Sequence, residues 1–235
     1  QELKDDIADH LDYKFYNTWP WHVAQELNIP QVVNEGLGGG SNDRIFRKTI
    51  DFVRNYTGNP KELLVIVAWT TYERVEIPIN VKRKHDNGYT QWEDDSNEYV
   101  SVLLNSPITT KTGNNDTDRL LQDYHKNLTV LNSSKVNSIK FFNLQWLLKQ
   151  VCENLGVHLQ QVYALDNPEF VVGSPEANNK WLDAISPYPV SFNRQLMQYE
   201  HLKDVRAPGR HPNELGHKEL ANTLVAYLQH HININ

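Results

Sequence analysis

The chain has 235 residues, 39% hydrophobic and 22% charged, so it can bury a real core as one large α/β domain or two small ones. Its net charge of −6 argues against binding nucleic-acid phosphates through a basic surface. A single cysteine, Cys152, excludes an internal disulfide framework, and no apolar run approaches the roughly 20 residues that span a bilayer.

Neither nucleic acid nor a membrane is therefore an expected partner. No secretion signal is visible, so the sequons at Asn55, Asn115, Asn127 and Asn132 read as chance in an Asn-rich chain. The cellular address stays open. The sequence opens on Gln1 and its one methionine is Met197, which reads as a processed or incompletely recorded polypeptide.

In chain order, residues 1–16 are polar and charged. Trp19 to Leu27 reads as a helix with Pro20 in its first turn, where a missing N–H costs nothing. Gln31 to Asn34 reads as a short strand. Asp43 to Tyr56 carries helical periodicity through Ile45, Phe46, Ile50 and Val53. Leu63 to Ala68 is a continuous apolar run, the pattern of a strand buried on both faces. Residues 76–116 are polar and suit an insertion or an excursion at a sheet edge. Helices are predicted over about 117–130 and 134–154, followed by a strand from Val157 to Leu165. Residues 166–210 look like a long ordered loop, and Glu214 to His230 is the closing helix. Strands alternating with helices imply a mostly parallel sheet in a single domain over 1–235.

The stretch Asn34-Glu35-Gly36-Leu37-Gly38-Gly39-Gly40-Ser41 stands before a helix start. Glycines this dense let backbone N–H groups approach a ligand, and the helix start adds unpaired donors and a positive dipole end. An anion, standing or developing, fits there. Three readings compete. A dinucleotide fold needs an acidic residue near the end of the next strand, but that strand ends Ala68-Trp69-Thr70. A phosphate-binding P-loop needs Gly-Lys-Ser/Thr, and Gly40 is followed by Ser41-Asn42. An oxyanion hole needs only the backbone amides.

Near the C-terminus, His211-Pro212-Asn213 leads into the last helix. Histidine is the usual general base at neutral pH. The bland reading makes His211 and His217 polar residues around a helix start, with Asn213 as the N-cap. We favour it for His217, and the His211/His217 spacing is too weak a signal for a metal site. No metal and no organic cofactor is implied.

Taken in order, Val33-Asn34, Gly39, Ser41-Asn42-Asp43-Arg44-Ile45, Val65-Ile66-Val67-Ala68-Trp69-Thr70 with Arg74, and His211-Pro212 resemble the SGNH (GDSL-type) hydrolase superfamily. The likeness is greatest to its divergent branch in tailed phages, especially those of marine cyanobacteria. That resemblance implies a three-layer α/β/α flavodoxin-like fold and a serine esterase, for example a carbohydrate O-deacetylase. It implies His211 as the base, Gly39 as an oxyanion donor, and Thr70 where the family usually has the oxyanion Asn. Asn42, Arg74 and Trp69 are the candidates for substrate contact.

The partner implied is a small-molecule or glycan ester, with virion proteins a further option, and the address would be host cytoplasm or virion. The family's nucleophile block and first strand are not in this sequence, so the expectation is that they lie just upstream of Gln1. The family's aspartate, three residues before the histidine, is replaced by Pro208. That replacement supports a second reading, a catalytically inactive virion or glycan-binding module. Asp204 or Glu214 could substitute for it.

Other residues carry weaker signals. Arg44 reads as a salt-bridge partner as readily as a site residue. Asn42 or Asp43 is expected to cap the helix. Trp92, Trp181 and Tyr188 could stack on sugars, and Cys152 reads as inert core.

Overall fold

A computed structural model of the chain describes residues 17–36, 40–78, 99–104, 107–108, 115–131, 133–165, 191–199, 205 and 212–231. In chain order the elements are α1 (Trp19–Glu26), α2 (Asn42–Asn55), a 3₁₀ turn (Pro60–Glu62), β1 (Leu64–Trp69), β2 (Arg74–Pro78) and β3 (Tyr99–Leu103). Then come α3 (Asn115–Leu131), α4 (Ser134–Leu155), β4 (His158–Tyr163), α5 (Phe192–Met197) and α6 (Glu214–His231). They divide into two compact units, residues 36–189 and residues 1–35 with 190–235.

The 36–189 unit is mixed α/β. β1 and β4 pair in parallel, from Leu64 opposite His158 to Trp69 opposite Tyr163. The pair forms because α4 stops at Gly156, whose φ of 73° suits a residue without Cβ. The amides of Gly156 and Val157 turn back onto the carbonyls of Glu153 and Cys152 at 3.1 and 2.8 Å, and the chain enters β4 at once.

Alternation along β1 sends Val65, Val67 and Trp69 to one face, where α2 and α4 cover them. The resulting core joins Val53 of α2, Phe141, Leu148 and Cys152 of α4, Val157, and Tyr163 of β4. Gln160 and Val162 point to the other face and are buried too. Burial on both faces is thus found in β4; in β1, where the sequence predicts it, only Val67 and Trp69 on one face are buried, and Leu64, Ile66 and Ala68 on the other stay partly exposed.

The stretch expected as a polar excursion over 76–116 contributes a small antiparallel sheet, with Arg74 opposite Leu103 and Pro78 opposite Tyr99. It has its own core of Ile77, Val100, Val102 and Leu121 of α3. Thr129 donates to the Leu104 carbonyl at 2.8 Å, and a His125 ring nitrogen lies 3.1 Å from the Leu103 carbonyl. Helix α2 ties the two sheets together. Arg47 pairs with the nearly buried Glu76 carboxylate at 3.0 Å and lies over the Tyr99 ring. Asp43 pairs with Lys140 of α4 at 2.6 Å.

In the other unit α1 packs on α6, burying Val23 and Ala24 in one helix and Leu220, Ala221, Leu224 and Leu228 in the other. Pro20 stands in the first turn of α1, as the sequence predicts. Asn213 caps α6, its side-chain oxygen accepting the Gly216 N–H at 2.8 Å, also as predicted. Gly216 is required by packing: a Cβ there would lie 2.1 Å from the Val205 carbonyl oxygen.

Two sequence expectations fail here. Gln31 to Asn34 forms no strand, and Val33 is 53% exposed. Two β-branched residues between Pro30 and Asn34, one exposed and the other only partly buried, are too little to hold a strand. Within the expected 166–210 loop, residues 192–197 form α5, capped by Ser191, which accepts the Arg194 N–H. The rest of that loop, apart from residues 191, 198, 199 and 205, lies outside the described residues, as do residues 1–16.

Candidate functional site

The carboxyl end of β1 meets the start of α2. Ser41 is the N-cap, in extended conformation, with its hydroxyl accepting the Arg44 N–H at 3.1 Å. The cap is thus Ser41 rather than Asn42 or Asp43, because Ser41 is the last residue before the helical φ/ψ run. Asn42 is free for a long-range task. Its side-chain amide donates to the Thr70 and Thr71 carbonyls at 3.1 and 3.2 Å, and its oxygen accepts the Thr70 N–H at 3.0 Å.

One carboxamide therefore satisfies three backbone groups where β1 runs out of strand partners. Gly40, Ser41 and Asn42 are all buried around this clamp. Thr70 is 9% exposed, and its Oγ1 has no hydrogen-bond partner among the described residues. A buried hydroxyl left unpaired beside a helix start is uncommon, since such a group is normally satisfied.

Trp69, expected to contact substrate, has no exposed surface. Its indole N–H donates to Gln161 at 2.8 Å and its ring meets Phe141 edge-on. It belongs to the core. Arg74 opens β2 after the turn closed by its own N–H on the Thr71 carbonyl, and its guanidinium makes no ion pair among the described residues. The structure thus brings Asn42, Thr70 and the Thr71–Arg74 turn together and sets Trp69 behind them. Gly39, His211, Pro208, Asp204, Trp92, Trp181 and Tyr188 lie outside the described residues.

The remaining titratable groups narrow the chemistry. Burial pushes the Cys152 thiol to about 11, with Glu153 adding to the effect. Burial likewise raises Tyr163 to about 12, against a hydrogen bond from Gln145 that lowers it. Both keep their protons at neutral pH, and neither is poised as a thiolate or phenolate. Among the described residues no group of three or more His, Cys, Asp or Glu is set to hold a metal. No described helix is long and apolar enough to cross a membrane.

A family model described as a family of unknown function, DUF6071, matches residues 1–165. The chain belongs to this family. The match takes in α1 to β4, with Gly39, Asn42, Trp69, Thr70 and Arg74, and ends before His211. No curated protein and no solved structure gives a match.

Sequence reasoning singled out Asn42 and Thr70 but not their contact. The two are 28 residues apart, and only the parallel strand and the helix packed on it make them neighbours. A buried polar residue directly after an N-cap was the available signal.

Proposed function

We propose that this chain is an ester hydrolase of the SGNH kind, built on a flavodoxin-like sheet. One observation carries the reading: the unpaired, buried Thr70 hydroxyl at the carboxyl end of parallel β1, beside the start of α2. Open α/β sheets bind ligands at the carboxyl ends of their strands. A buried hydroxyl donor beside the positive end of a helix suits the oxygen that becomes negative in acyl transfer. β1 pairs in parallel with β4, as strands of such a fold do.

In this reading a serine Oγ attacks the ester carbonyl while His211, named by the resemblance, takes its proton. The tetrahedral intermediate's oxygen is held by Thr70 and the amides of the glycine stretch. Collapse expels the alcohol, to which His211 returns the proton, and water then releases the acid. Arg74, unpaired among the described residues, suits a carboxylate or sugar hydroxyl on the substrate.

The test is hydrolysis of p-nitrophenyl acetate by the natural full-length protein, with Thr70→Val and His211→Ala variants. Thr70→Val should lower kcat by 10²–10³-fold at unchanged fold, the usual loss for one oxyanion donor. Equal activity in all three proteins would end the proposal. A second reading, an inactive glycan-binding module, is favoured by Pro208 at the aspartate position. It expects no turnover from the folded protein, together with retention on immobilised glycans.

A further inference from the structure

Helix α1 is held on α6 by an interface containing two imidazoles. His217, fourth residue of α6, accepts the Trp19 N–H on Nδ1 at 3.4 Å, meeting one of the orphan donors at the start of α1. His22, one turn further along α1, has a buried Nε2 with no hydrogen-bond partner among the described residues. We propose that α1 is an acid-released clasp, docked on α6 while His22 and His217 are neutral and undocked when they take up protons.

Protonation changes the contacts of each imidazole. A proton on Nδ1 of His217 turns the acceptor of the Trp19 N–H into a second donor facing it. The charge would also stand in the first turn of α6, at the positive end of the helix dipole. At His22, protonation adds a charge and an N–H donor where the buried Nε2 has nothing to bond.

The charged groups around His22 come from both helices. Burial and then Lys218 of α6 hold its imidazole below the usual value, while Glu214 of α6 and Glu26 of α1 act in the opposite sense. Glu214 stands one turn before His217 in α6, and Lys218 follows it. Among the described residues, α5 also packs on α6, and it carries Arg194 as its one charge.

The direction follows from linkage. His22 binds protons more weakly docked than free, so docking is complete above the free value of about 6.5 and weakens as pH falls below it. Keeping His22 neutral lowers the docking constant by up to about tenfold per pH unit in that range.

The experiment is amide hydrogen exchange in the full chain at about pH 7.5 and about pH 5, expressed as protection over an unstructured peptide. Protection of Trp19–Glu26 should fall at least tenfold more than that of Ser134–Leu155, a helix of the other unit. His22→Gln with His217→Asn keeps a polar side chain at the first position and an acceptor at the second without a proton to gain, so the differential loss should disappear. No differential loss in the natural sequence, or the same loss in the double variant, would overturn the clasp. Should that variant fail to fold, an NMR titration of His22 in the natural sequence decides. A midpoint below about 6.5 supports the clasp, and one at or above it sinks the idea.

Discussion

Replacing Asn42 tests whether its carboxamide is what holds the start of α2 on the end of β1. Three hydrogen bonds are lost in Asn42→Ala: those to the Thr70 carbonyl, the Thr71 carbonyl and the Thr70 N–H. At roughly 1 kcal/mol net for each, the cost is about 3 kcal/mol. It is larger if the Thr70 groups, on a residue 9% exposed, find no water.

Asn42→Asp is the sharper probe because size is conserved. One carboxylate oxygen still accepts from Thr70 N–H, but the other faces two carbonyl oxygens. The variant should be at least as unstable as Asn42→Ala at neutral pH. The charged form is disfavoured in the folded state, so that carboxyl titrates above its free value of about 3.9 and the native state binds the extra proton. Its deficit against the natural sequence should therefore shrink as pH falls from about 7 towards 4.

The assay is urea unfolding followed by amide exchange in β1 and β4, which isolates this unit from the other. A cost below about 1 kcal/mol for Asn42→Ala, or an Asp variant as stable as the natural sequence at pH 7, would refute the clamp.

Two further outcomes follow from the cores. Trp69→Phe removes the donor to the buried Gln161 oxygen and part of a fully buried ring, and should cost about 2–4 kcal/mol. Adding Gln161→Leu should recover part of that loss in a double-mutant cycle, whereas strict additivity would mean that the bond contributes nothing. In the other unit, Gly216→Ala drives a methyl to 2.1 Å from the Val205 carbonyl, a backbone atom with no flexible end. It should lower stability by about 2–3 kcal/mol in thermal unfolding, and a neutral result would show that the Val205 segment gives way.

The sequence by itself determined the elements whose reasons are local. Periodicity placed α2, α4 and α6 to within a residue or two of their observed ends, because one helix face must be apolar wherever the helix packs. Pro20 and Asn213 were readable as helix-start residues, since a missing N–H or a capping oxygen acts within one turn. The apolar run before Thr70 announced a strand, though the burial it predicted on both faces is reached on one only.

Only the tertiary structure decided what depends on chain-distant neighbours. Val32-Val33 has strand propensity, but it pairs with no strand among the described residues and stays irregular. Trp69 and Thr70 are adjacent in sequence, yet strand alternation sends the indole into the core against Gln161 and leaves the hydroxyl unpaired beside α2. Asn42 looked like a cap or a ligand contact and proved to be a clamp on backbone 28 residues away. Capping and periodicity act over three or four residues. Which polar atom meets which across a core is settled by packing, and no local pattern records it.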